Sequence, residues 1–202
     1  MDVERFLHEL PGALEDVSRF AAVLEDVPGL AEPNNLALLN VAVRCLDPGE
    51  HYVEAGTFRG TSLISAALGN ESASLVAIDN WSMGDGSRGQ LGRNLDRYDV
   101  SAAILEGDVF DVLRAGIPSP VGVYYYDAGH AYEQQLAGMR LAEPYLASPS
   151  IVIVDDTDWE RVGRATDDYL AQQPRATEIF RADGNAAGHP EWYEGVRVLR
   201  WD

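Results

Sequence analysis

The chain has 202 residues, 46% hydrophobic and 24% charged, the size and composition of one globular domain with a single sizeable core. Acids outnumber bases 33 to 15; the formal net charge of −18 repels phosphate backbones and anionic lipid, so neither nucleic acid nor a membrane is an expected partner. No apolar run approaches the roughly 18 residues needed to span a bilayer. The start, Met1-Asp2-Val3-Glu4, lacks a leader's basic and apolar regions, so the expected compartment is the cytoplasm. The single cysteine, Cys45, can form neither an internal disulfide nor a multi-cysteine zinc site, and in its apolar run it reads as a packing residue.

Residues 1–30 carry Phe6, Leu7, Leu10, Leu14, Val17, Phe20, Ala21 and Leu24 at helical spacing, with a candidate break at Pro11-Gly12 and a stop at Pro28-Gly29. A second helix starts near Pro33-Asn34-Asn35, where asparagine can cap free N–H groups, runs through Leu36, Leu39, Asn40 and Val43, and closes at Asp47-Pro48-Gly49. Short apolar runs then alternate with helical stretches. Strands are expected at His51–Ala55, Ser74–Asp79, Ala102–Glu106, Val121–Asp127 and Ile151–Asp155. Helices are expected at Thr61–Leu68, Gly89–Tyr98, Val109–Ala115, Tyr132–Leu146 and Trp159–Gln172. This alternation implies right-handed βαβ units and a parallel sheet. The apolar run Ile151-Val152-Ile153-Val154 suits a central strand covered on both faces. Thr177–Arg181 and Gly195–Trp201 are too close for a crossover helix and should pair antiparallel. The chain reads as one α/β domain over 1–202. Residues 1–47 form a helical N-terminal extension or cap, and 48–202 the cofactor-binding core. The apolar face of residues 6–24 covers either this domain or a second copy in a homo-oligomer.

In open α/β sheets ligands bind beyond the carboxyl ends of the strands. The first strand ends in Glu54-Ala55-Gly56-Thr57-Phe58-Arg59-Gly60, where glycines permit positive φ and a close backbone approach. The spacing is not the G-x-G-x-x-G of dinucleotide sites, and Glu54 suits a ligand with a cationic amino-acid group better than a pyrophosphate. The second strand ends in Asp79, a candidate acceptor for ribose hydroxyls; Glu106-Gly107-Asp108-Val109 offers Asp108 to an adenine amino group and Val109 to the ring. Singly, Glu54 or Asp108 would read as a cap or a solvated charge.

This order, followed by Tyr-Asp-Ala-Gly-His at 126–130 and Val-Asp-Asp at 154–156, resembles the class I S-adenosylmethionine-dependent methyltransferases over residues 35–202. It is similar to a small bacterial group with an Asp-x-x-His-x-Tyr motif and to sugar and antibiotic O-methyltransferases of natural-product pathways. The resemblance implies a Rossmann-like, mostly parallel seven-stranded sheet whose last strand is antiparallel. It also implies S-adenosylmethionine as cofactor, with Glu54 and the Gly56 turn at the methionine part, Asp79 at the ribose and Asp108 at the adenine. The full cofactor set is Glu54, Gly56, Thr57, Phe58, Gly60, Thr61, Ser62, Asp79, Asn80, Trp81, Gly107, Asp108, Val109 and Asp127.

If the fourth and fifth strands are neighbours, Asp127, Asp155 and Asp156 converge, and three carboxylates in one cleft call for a proton or a cation such as Mg²⁺. Metal-dependent catechol-type and macrolide-sugar O-methyltransferases carry acidic ligands at these strand ends, so the resemblance makes these three the metal candidates. This chain departs from the closest of them at Ala128-Gly129-His130, where they tend to carry another acid. His130 is the candidate general base, with Asp127 beside it as the second catalytic candidate. A structural His130 and a helix-capping Asp155-Asp156 are the plain alternatives. The loop Trp81–Gly86 is read as covering the adenosine, with Trp81 either stacked on adenine or packed at the rim. Trp159, Trp192 and Tyr193 are candidate walls for a small-molecule acceptor, the last two equally candidates for hairpin packing; His189 reads as solvated. A nucleotide-cofactor oxidoreductase on a similar fold and a non-catalytic binding or scaffold protein are the alternative functions.

Overall fold

The computed structural model describes residues 1–84 and 87–202. Its order is α1 (Val3–Glu15), a 3-10 turn (Ser18–Phe20), α2 (Ala21–Asp26), α3 (Pro33–Arg44), β1 (His51–Ala55), α4 (Thr61–Ala67), β2 (Ser74–Asp79), α5 (Arg88–Arg97), β3 (Ala103–Glu106), α6 (Val109–Ala115), β4 (Val121–Tyr126), α7 (Tyr132–Ala142), β5 (Leu146–Asp155), α8 (Glu160–Gln172), β6 (Ala176–Ala182) and β7 (Val196–Trp201). The sheet order is β3-β2-β1-β4-β5-β7-β6. The pairs from β3 to β5 are parallel, and β7 lies antiparallel between β5 and β6. The expected C-terminal hairpin is present, with β7 rather than β6 laid against the parallel sheet.

The pleat splits the core into two layers. Tyr52, Leu75, Val123 and Ile153 face the N-terminal helices, α4 and α5, whereas Val53, Val76, Tyr124 and Val152 face α6, α7 and α8. The strand order reverses between β1 and β4, which opens the crevice beyond their carboxyl ends. Among the described residues no helix is long and apolar enough to cross a membrane.

Three local expectations are corrected. Helix α1 runs through Pro11 and breaks only at Asp16; Pro11 is exposed, and the buried stripe Val3, Phe6 and Leu10 outweighs one lost backbone hydrogen bond. Helix α7 stops at Ala142, because Pro144 turns the next residues into a 3-10 turn, and β5 starts at Leu146 rather than Ile151. Asn35 does not cap α3: Glu32 holds the cap position without a side-chain bond, and the Asn35 side chain reaches elsewhere. Cys45 is a buried free thiol.

Candidate active site

Gly56 follows β1 at φ +90°, and a β-carbon there would lie 1.8 Å from the Asp127 carbonyl oxygen. The first turn after β1 therefore presses against the end of β4. Gly60, at φ +91°, starts α4. Beside this turn lies a cleft of about 460 Å³ that reaches Asp79 and Asp108 at one end and Asp156 and Tyr193 at the other.

Of the cofactor candidates, Gly56, Thr57, Phe58, Thr61, Ser62, Asp79, Asn80, Asp108, Val109 and Asp127 line this cleft. Glu54, Gly60, Trp81 and Gly107 do not. Glu54 shares its strand face with Tyr52 and is fully buried beneath the turn. It accepts hydrogen bonds from the Tyr52 hydroxyl and, at 2.9 Å, from Ser62 Oγ, which itself lines the cleft. Burial pushes its carboxyl up to about 7 against the pull of these donors. The Trp81 indole donates to the Phe58 carbonyl at 2.9 Å and packs on the core. Asp85 and Gly86 of the expected covering loop lie outside the described residues.

Asp79 accepts from the Phe58 amide at 2.7 Å and the Trp81 amide at 2.6 Å, which fixes its carboxylate at the cleft edge. Asp108 caps α6, taking the Phe110 and Asp111 amides on Oδ1, and it lines the cleft next to Val109 and Phe110. Two carboxylates flanking an apolar wall form a donor-accepting frame that fits a nucleoside.

At the other end the acids separate. Among the described residues, Asp127, His130 and Asp156 each present one ligand atom, and these atoms lie within 4.8 Å of one another. Asp155 is absent from the group, which corrects the set Asp127, Asp155, Asp156. Its side chain turns beneath the sheet end: Tyr125 donates to Oδ2 and Asn35 Nδ2 lies 3.5 Å from Oδ1. Asp156 adopts φ +55°, and this left-handed turn carries its carboxylate into the cleft, 3.4 Å from His130 Nε2. Burial raises all three aspartates. Asp155 moves to about 8, burial first and Asp156 next; Asp156 moves to about 6, with Glu194 adding to burial; Asp127 lies well above the usual range through burial, Asp155 and Asp156. Burial and Arg161 push His130 down, toward the neutral imidazole. Trp159 meets His130 edge-on at 5.1 Å and, with Tyr193, lines the cleft, whereas Trp192 is buried against Phe180 in the hairpin.

Sequence reading missed Asn35 and Tyr125. Asn35 accepts from the Tyr193 amide at 2.9 Å and so ties the N-terminal helices to the cleft wall. Tyr125 bridges toward Asp127, at 3.5 Å, as well as Asp155. The available signals were a polar residue heading a buried apolar helix and the alternation that turns Tyr125 away from Tyr124 and Tyr126.

The methyltransferase-domain family model matches residues 53–157, more than half of the sequence, and the chain belongs to this family. No curated protein matches. Among solved structures it is similar to the O-methyltransferase from Bacillus cereus in complex with S-adenosylhomocysteine, at 17% identity over 95% of this chain and 91% of that one, TM-score 0.66. It is also similar to TomG from Streptomyces achromogenes, an O-methyltransferase involved in tomaymycin synthesis, in complex with S-adenosylmethionine (20% identity, 92% and 88% covered, TM-score 0.64). A third is CalS11, the TDP-rhamnose 3'-O-methyltransferase of calicheamicin biosynthesis (21% identity, 96% and 80% covered, TM-score 0.57). The fold is that of the class I S-adenosylmethionine-dependent methyltransferases.

Proposed function

We propose that the chain transfers a methyl group from S-adenosylmethionine to a hydroxyl of a small-molecule acceptor. The observation that carries this reading is the convergence of Asp127, His130 and Asp156 in the cleft that also holds Asp79 and Asp108. When bound, S-adenosylmethionine supplies an electrophilic methyl group on a sulfonium. The Gly56 turn would hold its methionine part, Asp79 its ribose hydroxyls, and Asp108 with Val109 and Phe110 its adenine. His130, kept neutral by burial, can accept the hydroxyl proton as the oxygen attacks. Trp159 and Tyr193 orient the acceptor and exclude water.

The Asp127 and Asp156 carboxylates with the imidazole also suit a hard divalent cation such as Mg²⁺, which would lower the pKa of an acceptor hydroxyl; His130 would then hold the ion in place of acting as base. The family and the donor arrangement favour a methyl donor over a dinucleotide, and the clustered reacting groups favour an enzyme over a scaffold. Titration calorimetry with S-adenosylhomocysteine and with NADH tests the first point. Binding of NADH without S-adenosylhomocysteine would end this reading.

A further inference from the structure

Leu30 sits between α2 and α3, in a stretch whose backbone is held at both ends. At one end Thr61 Oγ1 donates to the Val27 carbonyl at 2.7 Å, and Arg59 donates to the Pro28 carbonyl at 3.2 Å. Gly29 packs so closely on Thr61 that a β-carbon there would overlap its side chain. At the other end, in the first turn of α3, the buried Asn35 accepts from the Tyr193 amide at 2.9 Å, and its Nδ2 lies 3.5 Å from the Tyr193 carbonyl oxygen. The stretch thus runs as a strap from the start of α4 to the Tyr193 wall, and in between Leu30 and Ala31 line the cleft.

Leu30 is 59% exposed, one of two exposed large hydrophobic side chains among the described residues. The other, Met83, follows Asp79 and Asn80 on the loop after β2, at the nucleoside end. Single exposed apolar residues are ordinary. A leucine on a strap fixed at both ends is different: the backbone cannot carry it inward, and apolar surface facing a cleft is what a bound ligand covers. Trp159 and Tyr193 line the same cleft, and Trp159 lies edge-on to His130 at 5.1 Å, so the apolar lining reaches the reacting groups.

We infer that Leu30 is a specificity-determining residue for the acceptor. With Trp159 and Tyr193 it covers an apolar substituent, so the cleft favours a hydroxylated ring that bears one over the same ring without it. This inference rests on the O-methyltransferase reading.

The test begins with S-adenosylhomocysteine titrated into the free protein; failure to bind sinks the methyltransferase reading itself. Protein saturated with S-adenosylhomocysteine and magnesium is then titrated with catechol and with 4-tert-butylcatechol. The wild type is expected to bind the alkylated ring roughly fivefold or more tightly, because burying added apolar surface strengthens binding. Leu30→Ser should bring the two affinities to within about twofold, and Leu30→Met should restore most of the preference. S-adenosylhomocysteine should bind all three proteins alike. The inference alone is overturned if S-adenosylhomocysteine binds but neither ring saturates or the wild type shows no preference. It is overturned likewise if Leu30→Ser keeps the preference or Leu30→Met loses it. A drop in S-adenosylhomocysteine affinity in Leu30→Ser also overturns it, since Leu30 would then cover the cofactor instead of the acceptor.

Discussion

Gly56 shows how a single missing carbon shapes the site. Its φ of +90° and the 1.8 Å approach of the Asp127 carbonyl leave no room for a methyl group, so Gly56→Ala must displace either the turn or the end of β4. We expect a loss of about 3 kcal/mol, a thermal midpoint lowered by roughly 5–10 °C, and weakened S-adenosylhomocysteine binding. His130→Ala should reduce turnover by roughly 10²–10⁴-fold and leave S-adenosylhomocysteine affinity intact; an unchanged rate would leave His130 a structural role. The aspartates should divide as their geometry does. Asp127→Asn and Asp156→Asn are expected to abolish Mn²⁺ binding followed by electron paramagnetic resonance, whereas Asp155→Asn, outside the donor group, should retain it. Equal loss in all three would return Asp155 to the ligand set. At this scale the sequence marked the strand-end acids, because each sits where an apolar run stops. It could not tell Asp155 from Asp156, since which of two neighbours enters the cleft depends on one positive φ that adjacent aspartates do not announce.

The elements explain how the N-terminal helices become part of the site. Helix α3 carries two buried asparagines with separate tasks. Asn40 donates to the Ser65 and Leu68 carbonyls, both at 2.8 Å, and so completes the C-terminal end of α4. Asn40→Leu removes a side-chain donor from both carbonyls, of which the Leu68 oxygen keeps Arg19 at 2.7 Å and the Ser65 oxygen only the Leu68 amide at 3.4 Å, for a loss of ~1–3 kcal/mol in all. Urea unfolding should show the loss as a lower midpoint with an unchanged slope, and a midpoint equal to wild type would discount the contact. Asn35, nearer the start of the same helix, holds the Tyr193 amide instead. Periodicity made α3 itself legible, as it did the βαβ alternation and the terminal hairpin. It misjudged α1 and α7 for opposite reasons: one proline lay on an exposed face where tertiary packing overrode it, and the other, Pro144, did end a helix whose apolar pattern ran on into β5.

For the whole molecule, the buried acids set an unusual pH dependence. Glu54, Asp155 and Asp156 have folded-state values near 7, 8 and 6, and Asp127 is also raised, all above their unfolded values. Below about pH 4 these groups are protonated in both states and cost nothing. As pH rises from there the unfolded chain ionises first, so stability falls until the folded-state values are passed and stays low beyond them. The free protein should therefore melt higher at pH 5.5 than at pH 8.5, against the usual trend for paired carboxylates. Added Mg²⁺ should recover more of the loss than an equal ionic strength of NaCl, because general screening by salt reaches the net charge of −18 but acts less on buried groups. A midpoint that rises from pH 5.5 to 8.5 without ligand would contradict the burial of these groups.

Strand β7, lodged between β5 and β6, also acts as a guard. It covers the long edge of β5, which carries Ile151-Val152-Ile153-Val154, four consecutive β-branched apolar residues without charge or proline. Once β7 detaches, that edge becomes an open template for pairing with other chains, and β6, joined to the sheet through β7 alone, leaves with it. Opening of the hairpin thus converts a local loosening into an aggregation hazard for the whole population of chains.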